Sequence, residues 1–583
     1  MKSKKRDAVS HPAAKAAQVP PSPQAWPYAA AAAAAALAVF WAYSPAVHGP
    51  FLFDDNFLPF GTDAVASAPL AAWMRGLRPI LMATYWMNAR LSGADPWSYH
   101  VLNVVIHLVA GGLVFFGVRR LLEWAQVPRE RLGLLAGFAA ALFLLHPVQT
   151  EAVAYLAGRS EALSVALVYA AFIVFLYRPR PAASWGVVAA VLALFAAAIL
   201  SKEHTVVLPA LLLLTDYWWN PGFSFEGIRR NWRLYLPLAA LAAAGTALAL
   251  PLIFGATTAG FALKDFTWYQ YFFTQCRALF VYIGEFLLPV RLSADWDFPI
   301  SRTVFDHGAI VGLAALVALV ALAWVYRRRF PLATFGFFVF LLLMAPTSSI
   351  LPIQDPIAER RLYFSMIGLL LILVDVLSRL KIRTRALAGI CAGVILVAAA
   401  ATYSRAQVWA DPVSLWEDNV RKSPNKARGH FNLGFAYYAQ GRPDLALPEF
   451  ERTARLTPPT QSLLLDWGLA YDGLNRPDDA LAKFKQAALL APTPGVSPAN
   501  IYTQIAKIFA QRSQWPEALD ALATAERLDS RYPEIFSYRG KIYFKTGQLP
   551  AAIQQYQRAL ALDPTLEDAR HDLALVMSSL RGR

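Results

Sequence analysis

Cysteine is almost absent. The 583 residues hold two, Cys276 and Cys391, each inside an apolar stretch, which excludes a disulfide framework and a cysteine metal site. Charge is scarce too: Asp, Glu, Lys and Arg make up 16% of the chain against 57% hydrophobic residues, too apolar for an ordinary soluble protein. The shortage is uneven. Before about residue 402 apolar blocks run long enough to span or nearly span a bilayer, and beyond it charged residues appear every few positions. The net charge of +15 does not imply nucleic acid, because Lys and Arg fall in short clusters between apolar blocks, a topology signal rather than a phosphate-binding face. The first apolar run, 28–43, lacks a clear small-residue cleavage site, so it reads as an uncleaved span behind a disordered basic arm, 1–26.

Twelve apolar blocks follow, at roughly 27–44, 101–118, 132–146, 162–177, 185–200, 205–219, 234–254, 270–290, 307–326, 331–349, 362–378 and 386–403. Several fall short of the ~20 residues of a perpendicular helix, which implies tight packing and a thin boundary. Basic clusters assign the sides. With Lys2, Lys4, Lys5 and Arg6 inside, alternation also puts Arg119, Arg120, Arg129 and Arg131 inside, then Arg178 and Arg180, then Arg229, Arg230 and Arg233. It breaks once. If 270–290 crossed, the triplet Arg327, Arg328 and Arg329 would fall outside; if that block lies along the outer interface, the triplet and Lys381, Arg383 and Arg385 are all inside. Trp268, Tyr269, Tyr271, Phe272 and Phe273 are rings that settle at headgroup level, and Arg277 and Glu285 interrupt the block. The expectation is an all-α polytopic body over 27–403 with about eleven spans, the N-terminus inside and the C-terminus outside.

The tail repeats itself. Gly434, Gly468, Ala506 and Gly540 recur at intervals of 34, 38 and 34 residues, and Tyr437, Tyr471, Phe509 and Tyr543 keep step with them. So do Ala446, Ala480, Ala518 and Ala552, and Phe450, Phe484, Leu522 and Tyr556, with Pro458, Pro492 and Pro564 closing three of the four units. This is the tetratricopeptide signature: the small residue lets two antiparallel helices approach, and the aromatic and alanine fill their seam. The expected α-solenoid covers 425–565, behind a connecting half repeat at 404–424 and before a capping helix and tail at 566–583. Such an array binds a peptide or protein segment.

Unusual polar residues gather at one face of the body. The segment 51–57, FLFDDNF, places Asp54 and Asp55 among phenylalanines just after the first span, where a carboxylate can meet a lipid-anchored molecule and a protein hydroxyl together. Arg78 follows, then His100, Asn103 and His107 at the outer start of the second span. The next outer loop carries His146 and Glu151 in HPVQTE, and Arg159 and Glu161 in GRSE; the one after it carries Lys202 and Glu203; the last carries Arg360, Arg361 and Tyr363 in AERRLY. Each has a bland reading. Arg78 or Lys202 can be a snorkelling anchor, the histidines polar packing residues, Glu151 or Glu161 a partner of Arg159, and Asp375 an i,i+4 partner of Arg379. No second ligand set favours a histidine metal site.

Taken together, Asp54 and Asp55 after the first span, Arg78-Pro79, YHVLN with His107, HPVQTEAV, GRSE, Lys202-Glu203 and ERRLY resemble the transmembrane-and-tetratricopeptide O-mannosyltransferase family over nearly the whole chain. The resemblance implies a GT-C type inverting glycosyltransferase that takes a sugar, here mannose, from a polyprenyl-phosphate carrier to a protein hydroxyl, with the repeats engaging the acceptor. It implies Asp54 or Asp55 as base, and Arg159, Lys202, Arg360 and Arg361 as contacts of the donor phosphate; between the two acids the residues themselves give a slight preference for Asp55, because Asn56 beside it can orient a polar acceptor. No cofactor is required, a divalent cation between the twin carboxylates being the less favoured alternative. The Ala- and Arg-rich composition points to a bacterial member, in the inner (cytoplasmic) membrane with its repeats in the periplasm. The competing readings are a non-catalytic scaffold for an envelope complex and an enzyme acting on a lipid or glycan.

Overall fold

The computed structural model describes residues 26–53, 55, 67–179, 181–255, 258–493 and 495–581. Among them the fold is all-helical, with a single isolated bridge between Ala259 and Ile353. The basic arm before residue 26, Asp54, Asn56 and Arg180 lie outside the described residues.

Each of the twelve apolar blocks is a helix. Six have the length and composition to cross a bilayer alone: Trp97–Trp124, Leu156–Leu176, Trp232–Pro251, Asp306–Tyr326, Arg361–Arg379 and Thr384–Val408. Arg129–Leu145 and Pro147–Ala154 form a pair bent by 48°, broken where His146 takes an extended backbone before Pro147. Ala29–Tyr43, Trp185–Ile199 and Pro331–Met344 are apolar but shorter, and Leu208–Trp219 has 12 residues. These eleven elements are those the basic clusters count as spans. The twelfth, Trp268–Leu287, is not among the helices of spanning composition. It opens with a capping box between Thr267 and Gln270, buries Tyr271, Thr274, Gln275 and Glu285, and leaves Trp268 and Tyr269 exposed.

The body core lies where Trp97–Trp124, Arg129–Leu145, Arg159–Leu176, Pro331–Met344 and Arg361–Arg379 meet. The last two approach through facing glycines: a Cβ on Gly336 would lie 2.5 Å from the Gly368 carbonyl oxygen, and one on Gly368 equally close to that of Gly336. At one end of the core Arg178 pairs with Asp216, both fully enclosed, while Asn220, Asn231 and Tyr235 bond the same carboxylate. The expected Asp375–Arg379 pair forms at 2.8 and 3.0 Å.

The tail has its own core, built from four helix pairs: Ala427–Ala439 with Pro443–Leu456, Gln461–Gly473 with Pro477–Ala488, Pro498–Gln511 with Trp515–Leu528, and Pro533–Lys545 with Leu549–Leu562. The repeat pattern has a direct steric cause. A Cβ at Gly434, Gly468 or Gly540 would come within 2.7, 2.4 or 2.9 Å of the ring of Phe450, Phe484 or Tyr556. Where the small residue is Ala506, its counterpart in the pattern is Leu522, with no ring to admit. The four extra residues of the 38-residue interval fall between Ala488 and Pro498, outside both helices.

Candidate active site

After the first helix the chain closes a turn between Leu52 and Asp55. The Asp55 amide donates to the Leu52 carbonyl (2.9 Å), and the Asp55 carboxylate accepts from the Leu52 amide (3.0 Å) and the Ala157 amide (2.7 Å). Asp55 is 2% exposed. It ties the segment after the first helix to the turn that opens helix Arg159–Leu176, and it lies within electrostatic reach of Arg159 and Tyr85.

Arg159 is enclosed and widely shared. Its guanidinium donates to Asn103 Oδ1 (2.7 Å), Asn88 Oδ1 (2.7 Å), the Tyr99 carbonyl (2.9 Å) and Thr84 Oγ1 (3.3 Å), and lies 4.4 Å from the Tyr85 ring centroid. Asn103 in turn donates to the Val153 and Tyr155 carbonyls. Arg159 therefore joins three helices from inside, its guanidinium fully buried. The histidines are spent on the fold. His100 faces the Gly49 carbonyl (3.2 Å), His107 the Tyr363 hydroxyl and the Leu144 carbonyl (3.0 Å each), and His146 the Phe286 carbonyl (3.0 Å). Among the described residues no group of His, Cys, Asp and Glu is arranged to hold a metal ion.

Three cations keep partial access. Arg78 forms a two-pronged bond with Glu203 (2.7 and 3.1 Å) at 38% side-chain exposure. Burial raises the Glu203 carboxyl, but Arg78 and then Lys202 outweigh it and bring its pKa down to about 2. Lys202 bonds Glu161 (2.8 Å) and Ser160 (3.3 Å), with His204 Nε2 3.1 Å from the same carboxylate. Arg360 bonds Glu151 through its side chain and through its amide (2.8 Å). The neighbouring Arg361 turns away, donating to the Tyr271 hydroxyl (3.2 Å) and the carbonyls of Pro356 (2.8 Å) and Asp355 (2.5 Å). Successive helical residues diverge by about 100°, so the two guanidinium groups expected to act side by side are split between a rim position and a structural one.

Two features escaped sequence reasoning. Glu285 and Glu359 are buried with carboxylate oxygens that find no hydrogen-bond partner among the described residues, and Arg405 lies 3.8 Å from Glu359. Burial pushes the Glu359 carboxyl up to about 8, with Arg405 opposing and Glu151 adding to the rise. The second is a seam between body and tail. Arg428 reaches both oxygens of Asp295 (2.7 and 2.6 Å) and Asp355 (2.8 Å), and Arg405 bonds Asp418 (2.6 Å). Such partners stand 13 to 133 residues apart, beyond any spacing rule.

The fold and site together define a polytopic membrane protein with a cluster of polar loops and a tetratricopeptide tail. Family profiles described as "TPR repeat" match residues 506–547 and 540–580, and one described as "Tetratricopeptide repeat" matches 427–459. Curated relatives carry the resemblance read from the motifs. The protein O-mannosyl-transferase Tmtc1 of Drosophila melanogaster is 30% identical over 288 residues, 46% of this chain and 32% of that one. Protein O-mannosyl-transferase TMTC3 of Mus musculus is 26% identical over 554 residues, 87% of this chain and 59% of its own, and human TMTC1 is 25% identical over 503, 75% and 56%. The chain is thus a relative of the transmembrane-and-tetratricopeptide O-mannosyl-transferases, and it spans between about a third and three-fifths of their length.

Proposed function

We propose that the protein is a GT-C type membrane glycosyltransferase that moves a sugar, mannose by its resemblance, from a polyprenyl-phosphate carrier to a hydroxyl of a protein acceptor outside the cytoplasm. The supporting observation is the tie between the Asp55 turn and the Ala157 loop, together with three partly exposed cations each paired to a loop glutamate, on a body related to protein O-mannosyl-transferases.

In this reading a carboxylate of the turn takes the proton of the acceptor hydroxyl as its oxygen attacks the anomeric carbon. The bond from that carbon to the phosphate oxygen breaks with inversion, and the lipid phosphate departs with the electron pair. Asp55 already serves two backbone amides, so the base role falls to Asp54 and Asp55 sets its loop. Arg78, Lys202 and Arg360 are the cations that meet the phosphate, each exchanging part of its bond to Glu203, Glu161 or Glu151 for the donor. Arg159 and Arg361 hold the architecture. The sequence of steps uses no cofactor, and the repeats present the acceptor.

Purified protein is to be incubated with polyprenyl-phosphate mannose labelled in the sugar, and with a periplasmic protein extract. Label should enter protein with its anomeric configuration inverted. Label that stays on lipid, or enters only when a nucleotide sugar is supplied, contradicts the proposal.

A further inference from the structure

Phe53 is a bulky aromatic at φ 52°, a left-handed backbone angle that favours glycine and asparagine. It is the second residue of the turn closed between Leu52 and Asp55. A side chain of this size stays there only where its surroundings over-determine it. One restraint is from the body, the Tyr155 ring at 6.1 Å. The other two come from beyond the last apolar helix: the Trp416 ring meets Phe53 edge-on at 5.4 Å, and the Arg428 guanidinium lies 5.2 Å from its centroid.

Those two residues are themselves anchored to the outer loops. Arg428 holds both oxygens of Asp295 and one of Asp355, and Lys426 adds contacts to the same two acids at 3.3 and 3.4 Å. On the helix of Trp416, Asn419 donates to Ser293 Oγ (3.0 Å) and the Asp295 carbonyl (2.7 Å), and Lys422 to the Leu292 carbonyl (2.6 Å). Residues 416–428 therefore form a clamp seated on the loop at 292–295 and on Asp355, with Phe53 beneath it. A tail that only recruited acceptor would need none of this; a linker would serve.

We infer that the start of the tetratricopeptide tail is built into the active site: Trp416 and Arg428 are positioning residues that hold the left-handed turn at Phe53, and with it Asp55. The inference rests on the transfer reading for its catalytic consequence but makes a structural claim of its own. It also fixes where the acceptor arrives, because the first repeat abuts the turn.

The test uses full-length protein in nanodiscs and reads both hydrogen exchange and transfer. Arg428→Ala should release the amides of Leu52 and Asp55 to faster exchange and lower kcat by as much as ~10²-fold, the scale of a misplaced catalytic group, with the acceptor KM little changed. Arg428→Lys keeps the charge but loses the two-pronged, planar contact, and should fall between. Arg230→Ala, which cuts an exposed ion pair with Glu226 in the body, should change neither reading. Phe53→Gly supplies the discriminating arm, since glycine takes the same backbone angle without strain: exchange at Asp55 should then respond far less to Arg428→Ala. Unchanged protection of Leu52 and Asp55 in Arg428→Ala overturns the inference, as does lost protection with wild-type turnover. Failure of the wild-type chain to transfer sugar counts against the proposed function alone, and exchange then decides the clamp by itself.

Discussion

Two buried arginines bracket one helix, Arg159–Leu176, and their settings are opposite. Arg178, two residues past its C-terminal end, meets the carboxylate of Asp216, and the pair is sealed by Asn231 (2.8 Å), Tyr235 (2.7 Å) and Asn220 (3.2 Å). Its charge is neutralised, and the helix C-terminus favours a cation. Arg159, at the N-terminal end where the helix dipole disfavours one, is bonded among the described residues to two asparagines, a threonine and a carbonyl, none of them a carboxylate. The first arrangement is a staple. The second holds the guanidinium in neutral hydrogen bonds beside the Asp55 turn, within electrostatic reach of its carboxylate. Fully buried charge is costly, and the two ends meet that cost differently: Arg178 through a direct ion pair, Arg159 through neutral hydrogen bonds with the Asp55 carboxylate in electrostatic reach.

The comparison breaks most visibly at the staple. Asp216→Ala leaves Arg178 enclosed without its partner and should destabilise the body by about 3–5 kcal/mol, read by thermal unfolding in detergent, with transfer per folded molecule preserved. At the other end, Arg159→Lys keeps the charge while Arg159→Gln removes it. Turnover should fall about tenfold further in the Gln variant than in the Lys variant, the equivalent of ~1.4 kcal/mol. Equal losses would mean that packing, not charge, is the contribution of Arg159.

A smaller effect sharpens the same contrast at the body–tail seam. Because burial raises the Glu359 carboxyl from 4.5 to about 8, the folded chain keeps a proton there that the unfolded chain releases across that window. Stability should therefore be greatest below pH 4.5 for this group and decline as pH rises towards 8. Glu359→Gln removes the dependence: its melting temperature should exceed that of the wild type at pH 8 and match it at pH 4.5. A difference that is the same at both values would show that the group does not titrate with folding.

Much of the fold is legible because it follows from local rules. Every apolar block is a helix, and the alternation of Gly434, Gly468 and Gly540 with Phe450, Phe484 and Tyr556 is a steric fit visible as a repeat. The pairing of Asp375 with Arg379 needs only helical spacing. The convergence of the outer loops was readable as a set of polar motifs on one side, but not the division of labour within it. Sequence places Arg360 and Arg361 side by side, whereas their side chains leave the helix in different directions. It cannot distinguish Arg159, buried under Tyr85, from Arg78 at the rim. The bond from Arg428 to Asp295 and the left-handed angle at Phe53 depend on packing between distant segments, and a phenylalanine carries no local signal for a positive φ.

The transfer reading turns on the two carboxylates after the first helix, Asp54 as base and Asp55 as the anchor of its loop. Asp→Asn preserves size while removing the basic oxygen, so Asp54→Asn, Asp55→Asn and the double variant are to be compared with wild type at matched membrane levels, using labelled polyprenyl-phosphate mannose. Asp54→Asn should lose ~10²-fold or more in turnover, the scale of a missing general base, with the chain still inserted and folded. Asp55→Asn should lose activity together with exchange protection at Leu52, since its carboxylate accepts that amide. Wild-type transfer by the double variant would overturn this assignment and leave the site without a base.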